Sequence, residues 1–493
     1  MLTKKLEKYV EKFNRDDDEI YINDIDNAHA LEWLKENAPL FECPDKNIEE
    51  IFYFRLWTLR KHIKNTEDGY IITEFLPKVP WSGKHNTIVA PVGHQINEAR
   101  WLKHGDEIVR DYALFYLNEI GEIYNYSIWF VHSFLQFASH INDEKLVNDN
   151  LDKLIRYYEN VHKNHITTSG LYFSYDIDDA MEVSISGGLT LEHKAYPGLR
   201  PTLNSYMAAD AFALSKIAKK AGRNDIAEKY EKHGRKIVDR MIELLWDGSF
   251  FKAIHSPDKD NFPPVNEIKP HRNVRELIGL IPWYFDFMPD GYEWVMRELF
   301  EPDAFYSEVG ILTAERRHQR FMYDFPHECL WNGYVWPFAT TQTLVAVNNI
   351  INKYGENVVT KEEFYGLVKT YAKMHYHTKD DGKTVCWIDE VKDPVTNRWS
   401  CRDFLKERDW HEGKGGVERG KDYNHSSFCD IILSGLIGIT SNFGKIKVEP
   451  KVLDIWDYFK VDELYIDGKC YTILYDKTGN HYNEGKGLII KVK

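Results

Sequence analysis

Apolar residues recur at spacings of three and four along most of the chain from residue 46 to residue 440. This spacing is the period of an amphipathic helix, and Met207, Ala211 and Leu214 illustrate one such face. No heptad pattern or ~30–45-residue sequence repeat accompanies it, which excludes a coiled coil and a simple solenoid. The pattern predicts about eleven or twelve helices, at residues 47–65, 97–117, 127–140, 143–162, 203–221, 226–246, 274–285, 291–300, 337–351, 361–375 and 426–436.

The predicted helices form loose pairs joined by long loops, an arrangement that favours a closed toroid of helical hairpins with its loops gathered at one end. The end of the chain has a different pattern, because residues 464–476 and 487–492 alternate apolar and polar side chains. Asp467-Gly468 lies where a hairpin turn is expected. The sequence therefore predicts a mainly α protein with a capping segment at 1–45, a helical domain at 46–440 and a small β-rich region at 441–493.

Composition describes an ordinary soluble globular chain, with 43% apolar and 28% charged residues. The 77 acidic and 63 basic side chains give a formal charge of −14, which argues against nucleic acid or an anionic membrane as a partner. The chain also carries 14 tryptophans, 30 tyrosines and 26 phenylalanines. Most must form the core, but such a surplus also suits a site that stacks flat, half-apolar ligands such as sugar rings.

Targeting and cofactor signals are not visible in the sequence. No segment has the ~18 consecutive apolar residues of a membrane helix, and the first residues lack a signal-peptide pattern. A cytoplasmic location is therefore predicted, although a mature secreted form would look the same. The six cysteines form no Cys-x-x-Cys pair and are expected to be free thiols. Motifs for phosphate, dinucleotide or zinc binding are missing, so no cofactor and no metal is predicted.

An acidic, aromatic loop at residues 170–187 is the first candidate for chemistry. It contains Asp178, Asp179 and Glu182 within five positions. Desolvation and like charge both raise a carboxyl pKa, and a general acid working near neutral pH needs a raised pKa. A solvated acidic loop or a helix N-cap cluster is the alternative.

A second candidate, residues 328–337, begins with Glu328 and carries two tryptophans before a proline at a helix start. Trp331 and Trp336 are expected to form a rigid aromatic platform, or else a buried tryptophan corner. Farther along, Glu390 and Glu418 are both candidate bases that could orient a water, and either could also be a solvated loop charge.

Polar residues next to aromatic ones at several helix starts suit a pocket that collects hydroxyl contacts. Each could equally be a satisfied inter-helix hydrogen bond. These residues are His94, Glu98, Arg100, Tyr126, Trp129, Arg200, Asn204, Tyr206 and His425.

Taken together, these segments resemble the clan of (α/α)6 glycoside hydrolases that includes family 63, mannosylglycerate hydrolases and trehalases. Residues 331–337 are similar to the clan motif Trp-Arg-Gly-Pro-x-Trp-Pro, with Asn332 and Tyr334 in place of Arg and Pro. The stretch Asp178-Asp179-Ala-Met-Glu lies where the clan keeps its general-acid loop, and the resemblance favours Asp179 over Asp178 as the acid. Glu390 resembles the base of family 63, whereas Glu418 lies where trehalases keep theirs, and Glu390 is preferred.

The resemblance implies an (α/α)6 toroid and an inverting, exo-acting hydrolase of an α-linked sugar. The Asp would protonate the leaving oxygen while the Glu activates a water. Tryptophans 129, 331 and 336 would form the walls of the pocket. The other residues expected to bind substrate are His94, Glu98, Arg100, Tyr126, Glu182, Arg200, Asn204, Tyr206, Glu328, Asn332, Tyr334 and His425. A sugar epimerase, isomerase or lyase using histidines, and a non-catalytic carbohydrate-binding scaffold, are the alternatives.

Overall fold

The structure, a computed structural model, describes residues 2–191 and 197–493. Helices dominate it, as the periodicity predicts. The α-helices are α1 (Leu2–Asp16), α2 (Ala30–Asn37), α3 (Lys46–His62), α4 (Val92–Ala99), α5 (Gly105–Leu117), α6 (Phe130–His140), α7 (Glu144–His165), α8 (Pro201–Lys220), α9 (Asn224–Leu245), α10 (Pro337–Tyr354), α11 (Lys361–Met374) and α12 (Ser400–Lys406). Two longer 3-10 segments, Leu277–Phe285 and Glu293–Phe300, and a π-helical segment, Ile431–Leu436, add further helical turns. Short 3-10 turns lie at Lys84–Asn86, Ile177–Asp179, Val265–Glu267, Gly355–Asn357 and Glu412–Lys414.

These helices form two concentric rings. Each segment of the inner ring contacts the next, in the order α4, α6, α8, Leu277–Phe285, α10 and Ile431–Leu436. The outer helices α5, α7, α9 and α11 pack against the inner helices α4, α6, α8 and α10, respectively. Burial distinguishes the rings, because α8 and α10 are buried on nearly every side whereas α7 and α9 bury a single face. The predicted mainly α toroid is confirmed.

The inner ring closes where its first helix meets its last segment. The Glu98 carboxylate, in α4, accepts backbone N–H bonds from Phe428, Cys429 and Asp430 at 3.1, 3.0 and 2.9 Å. These N–H groups have no intrahelical partner, so the carboxylate takes the place of a helix cap. Beside it, Arg100 donates to Asp430 at 2.7 Å, which ties the two ends of the ring a second time.

The strands form small antiparallel sheets. They are β1 (Leu40–Glu42), β2 (Ile63–Thr66), β3 (Gly69–Ile72), β4 (Phe173–Ser174), β5 (Gly198–Leu199), β6 (Ile254–His255), β7 (Tyr376–Thr378), β8 (Thr384–Cys386), β9 (Ile439–Asn442), β10 (Lys445–Val448), β11 (Tyr458–Ile466), β12 (Lys469–Asp476) and β13 (Gly487–Val492). The C-terminal sheet has the order β1-β11-β12-β13, so a strand from the start of the chain joins the predicted β region. Asp467 and Gly468, both left-handed with φ of 53° and 66°, make the hairpin turn between β11 and β12.

Within the described residues, no helix is both long enough and apolar enough to cross a bilayer.

Candidate active site

A pocket of about 190 Å³ opens at the end of the toroid where the inner helices begin. Its position follows from three of its residues, since Tyr126 precedes α6, Trp336 is the N-cap of α10 and Tyr423 precedes the last inner segment. Four glutamates, two cations and several aromatic rings share this small space. The lining residues are Glu74, Phe75, Trp81, Ile88, Ala90, Tyr126, Ile177, Ala180, Glu182, His327, Glu328, Cys329, Trp336, Glu390, Lys414, Arg419 and Tyr423.

Glu390 is bound at two points by a buried arginine. The Arg419 guanidinium donates to the Glu390 carboxylate from Nε at 2.7 Å and from Nη2 at 3.1 Å, and both residues are almost fully buried. The Cys329 thiol adds a third donor at 3.1 Å. Because charge-assisted, two-point contacts stabilise a carboxylate strongly, Glu390 has the environment of a base.

Glu182 has the opposite environment in the same pocket. Burial, aided by the negative charges of Asp176 and Glu390, raises the pKa of Glu182 to about 7. Unlike Glu390, Glu182 has no ion pair with a described cation. A carboxyl group that keeps its proton near neutral pH can act as a general acid.

Asp179, in contrast, is turned into the protein. It accepts a hydrogen bond from Arg200 Nε at 2.7 Å and another from the Thr202 hydroxyl, and its side chain is fully buried. Asp178 accepts the Tyr175 backbone N–H at 3.1 Å. Neither aspartate lines the pocket. The two aspartates favoured from the sequence therefore hold the acidic loop in place, while the third carboxylate of the loop, Glu182, faces the cavity.

Glu328 and Glu74 complete the carboxylates of the pocket. Lys414 contacts Glu328 at 2.7 Å and Arg419 contacts it at 3.4 Å. Burial favours the neutral form of Glu328, but attraction from His327 and these cations outweighs it and lowers its pKa to about 2. Glu74 accepts a hydrogen bond from the Tyr423 hydroxyl, and burial raises the pKa of Glu74 to about 8. The pocket thus combines protonated and ionised carboxyl groups at neutral pH.

Residues 84–426 match the family described as the mannosylglycerate hydrolase MGH1-like glycoside hydrolase domain. The chain belongs to this family. A solved sialidase structure is 34% identical and superposes on all of this chain with a TM-score of 0.88, but this chain spans only 43% of that one.

Two more distant structures share the fold of this MGH1-like domain. A family 63 mannosylglycerate hydrolase from Thermus thermophilus in complex with Tris is 9% identical, with a TM-score of 0.51 over 77% of this chain and 98% of its own. An α-L-rhamnosidase from Dictyoglumus thermophilum is 13% identical, with a TM-score of 0.53 over 90% of this chain and 43% of its own. The resemblance to family 63 enzymes is confirmed.

The aromatic platform of the MGH1-like domain is a stacked pair. The Trp331 and Trp336 rings lie 4.5 Å apart at 15°, and Trp336 reaches the pocket while Trp331 supports it from behind. Asn332 donates to the Tyr323 carbonyl at 2.9 Å, and the Tyr334 carbonyl accepts a hydrogen bond from the Thr313 hydroxyl at 2.8 Å. These two positions therefore stabilise the loop and do not line the pocket.

A layer of aromatic rings lies below the pocket. Trp129 packs against His94 at 5.2 Å and Tyr206 at 4.8 Å, and His425 lies 6.0 Å from Trp336. None of Trp129, His94, Tyr206 and His425 lines the pocket. They form its supporting floor.

The remaining sequence candidates have structural contacts. Asn204 binds the backbone of Tyr172 at 2.8 and 2.9 Å, Glu98 and Arg100 close the inner ring, and Glu418 pairs with Arg402. Of the residues selected from sequence, the structure places five in the pocket: Tyr126, Glu182, Glu328, Trp336 and Glu390.

One wall of the pocket comes from outside the matched family region. Glu74, Phe75 and Trp81 all precede residue 84. The segment is fixed because Asn424 donates its backbone N–H to the Glu74 carbonyl at 3.0 Å and its amide to the Thr73 carbonyl at 3.1 Å. Sequence reasoning missed these residues, as it missed Arg419, because no motif surrounds them. The acid-aromatic pair Glu74-Phe75, separated by one residue from the end of strand β3, is the one available signal.

Side chains of the kinds that bind metal ions come together outside the pocket. In the described part of the chain, Glu67, Asp68 and His85 form the one such group, and they lie outside the pocket. Asp68 is already bound by His85 at 2.7 Å and by Lys84. The ammonium group of Lys84 supplies the positive charge that a metal would bring.

Proposed function

We propose that this protein is an inverting glycoside hydrolase that removes a single terminal α-linked sugar, with Glu182 as general acid and Glu390 as general base. The observation that carries the proposal is the pairing of the two in one pocket: Glu182 is desolvated and forms no ion pair with a described cation, whereas Glu390 is bound by Arg419. Glycoside hydrolysis requires two carboxyl groups in such different surroundings.

The reaction would proceed in one displacement. Glu182 donates its proton to the glycosidic oxygen as the bond to the anomeric carbon breaks. Glu390 takes a proton from a water whose oxygen attacks that carbon from the opposite face of the sugar. The products are the free sugar and the alcohol, and proton exchange with solvent restores both glutamates.

The size and walls of the pocket support exo-acting cleavage. About 190 Å³ is below the ~300–1,000 Å³ of sites that enclose drug-sized ligands, so one sugar ring fits better than a chain. Trp336 and Trp81 offer flat faces to such a ring. Arg419 and Lys414 are both neutralised by glutamates, which favours a neutral sugar over an acidic one.

The α-linkage rests on the relatives, which include an α-L-rhamnosidase and a mannosylglycerate hydrolase. We assign the acid to Glu182 in place of Asp179, because the ion pair with Arg200 holds Asp179 away from the pocket.

A released-sugar screen tests the proposal. The substrates are α-mannosides, α-L-rhamnosides, α-glucosides, trehalose and mannosylglycerate, and NMR follows the anomer formed first. We expect hydrolysis of one class with inversion at the anomeric carbon. A product of unchanged mass would indicate an epimerase or isomerase, and retained configuration would refute the single displacement.

A further inference from the structure

A second and larger cavity, of about 770 Å³, lies at the other end of the toroid. It is lined from the second halves of the inner helices, for example by Gln136 in α6, Asn348 in α10 and Ser434 in the last segment. Its volume falls in the ~300–1,000 Å³ range of small-molecule sites. No residue that we assign to catalysis borders it.

Aromatic rings separate this cavity from the catalytic pocket. Tyr284 and Phe285 line the large cavity, and their rings lie 5.5 and 6.3 Å from the ring of Trp129 in the floor layer. Trp129 lines neither space, so the two sites are distinct.

The charges around the large cavity are compensated. Its one described acidic residue, Asp430, is bound by Arg100 at 2.7 Å and by the Trp101 indole at 2.8 Å. Three lysines also border the cavity, Lys216, Lys219 and Lys220, but all three are exposed to solvent, and Lys220 pairs with Glu144 at 2.6 Å. Water screens charges at such exposed positions. Because the one charged pair farther inside is compensated, the interior of the cavity favours a neutral ligand.

In the described part of the chain, the hydrogen-bonding groups of the lining that have no partner include four amides, together with the Nε2 atoms of His132 and His140. No described residue forms a hydrogen bond with the side-chain amides of Gln136, Asn348, Asn352 or Asn442. A primary amide both donates and accepts, as a sugar hydroxyl does. Phe285 and other rings of the lining supply flat apolar faces for the C–H side of a sugar. We propose that this cavity is a second binding site, for a neutral saccharide of one or two sugar residues.

Isothermal titration calorimetry of a Glu182→Gln protein tests this inference without turnover, so its outcome does not depend on the proposed activity. The probes are methyl α-mannoside, L-rhamnose and maltose, with glucose 6-phosphate as the charged comparison. We expect one neutral probe to bind, and the double variant Gln136→Leu/Asn348→Leu to weaken its binding about tenfold or more, since two hydrogen-bonding side chains are lost.

A second variant tests the cavity independently, in case the double variant does not fold. Asn352 is exposed at the mouth of the cavity, so Asn352→Trp narrows the entrance with little effect on the core. It should also weaken binding, whereas Trp336→Ala in the catalytic pocket should leave a binding event intact. The inference fails if no neutral probe binds, if glucose 6-phosphate binds more tightly, or if only Trp336→Ala abolishes binding.

Discussion

Arg419 binds Glu390 through two nitrogens, at 2.7 and 3.1 Å, while Glu182 faces the same pocket without an ion pair to any cation of residues 2–191 and 197–493. The two glutamates are therefore in chemically different surroundings. Burial, aided by the negative charges of Asp176 and Glu390, raises the pKa of Glu182 to about 7.

Glu182→Gln should lower kcat by about 100-fold or more, because the amide cannot protonate the leaving oxygen. The fold should be unaffected, since Glu182 forms no ion pair with a described residue. Steady-state kinetics and thermal melts check both statements. Asp179→Asn is the matched comparison: it leaves Arg200 buried and unpaired, which typically costs ~3–5 kcal/mol of stability. A fully active Glu182→Gln protein would remove Glu182 from the acid role.

The pH dependence of kcat/KM should show an alkaline limb near pH 7. The acid must be protonated to work, and burial raises the pKa of Glu182 to about 7, so the rate falls as the pH rises through that value. Glu74, with a pKa raised to about 8, is the rival source of such a limb. Glu74→Gln should therefore leave the limb where it is. A limb that disappears in this variant would transfer the acid role to Glu74.

The fold was accessible to sequence reasoning because helix periodicity and the Asp467-Gly468 turn are local signals. The pairing of β1 with β11 was not, since it joins residues about 420 positions apart. In the acidic loop, the spacing of Asp178, Asp179 and Glu182 could not say which carboxylate faces the pocket.

The backbone conformation of the acidic loop determines which of its carboxylates faces the pocket. Ala180 and Val183 both adopt left-handed conformations, with φ of 56° and 62°, on either side of Glu182. Non-glycine residues rarely adopt this conformation, so the pattern did not suggest it. Glu74 and Arg419 were missed for a different reason: each is an isolated charge whose role exists only once distant segments meet.

Arg419→Met should lower kcat/KM, because the Glu390 carboxylate loses both of the guanidinium hydrogen bonds that hold it in place. Arg419→Lys keeps the charge but not the two-point geometry, so it should retain more activity than Arg419→Met. Steady-state kinetics of both variants check this. Equal kcat/KM values for the two would mean that the charge on residue 419 does not act on the base.

Closure of the inner ring depends on Glu98, so its removal should destabilise the whole toroid. Glu98→Ala leaves the buried backbone N–H groups of Phe428, Cys429 and Asp430 without their acceptor. Each unsatisfied buried donor costs ~1–3 kcal/mol, so a loss of about 3 kcal/mol or more is expected in denaturant unfolding. Glu418→Ala is the control, because Glu418 pairs with Arg402 away from the ring closure and should change stability less. If Glu98→Ala unfolded at the same denaturant concentration as the unmodified protein, the ring would be closed by packing and the Arg100–Asp430 contact alone.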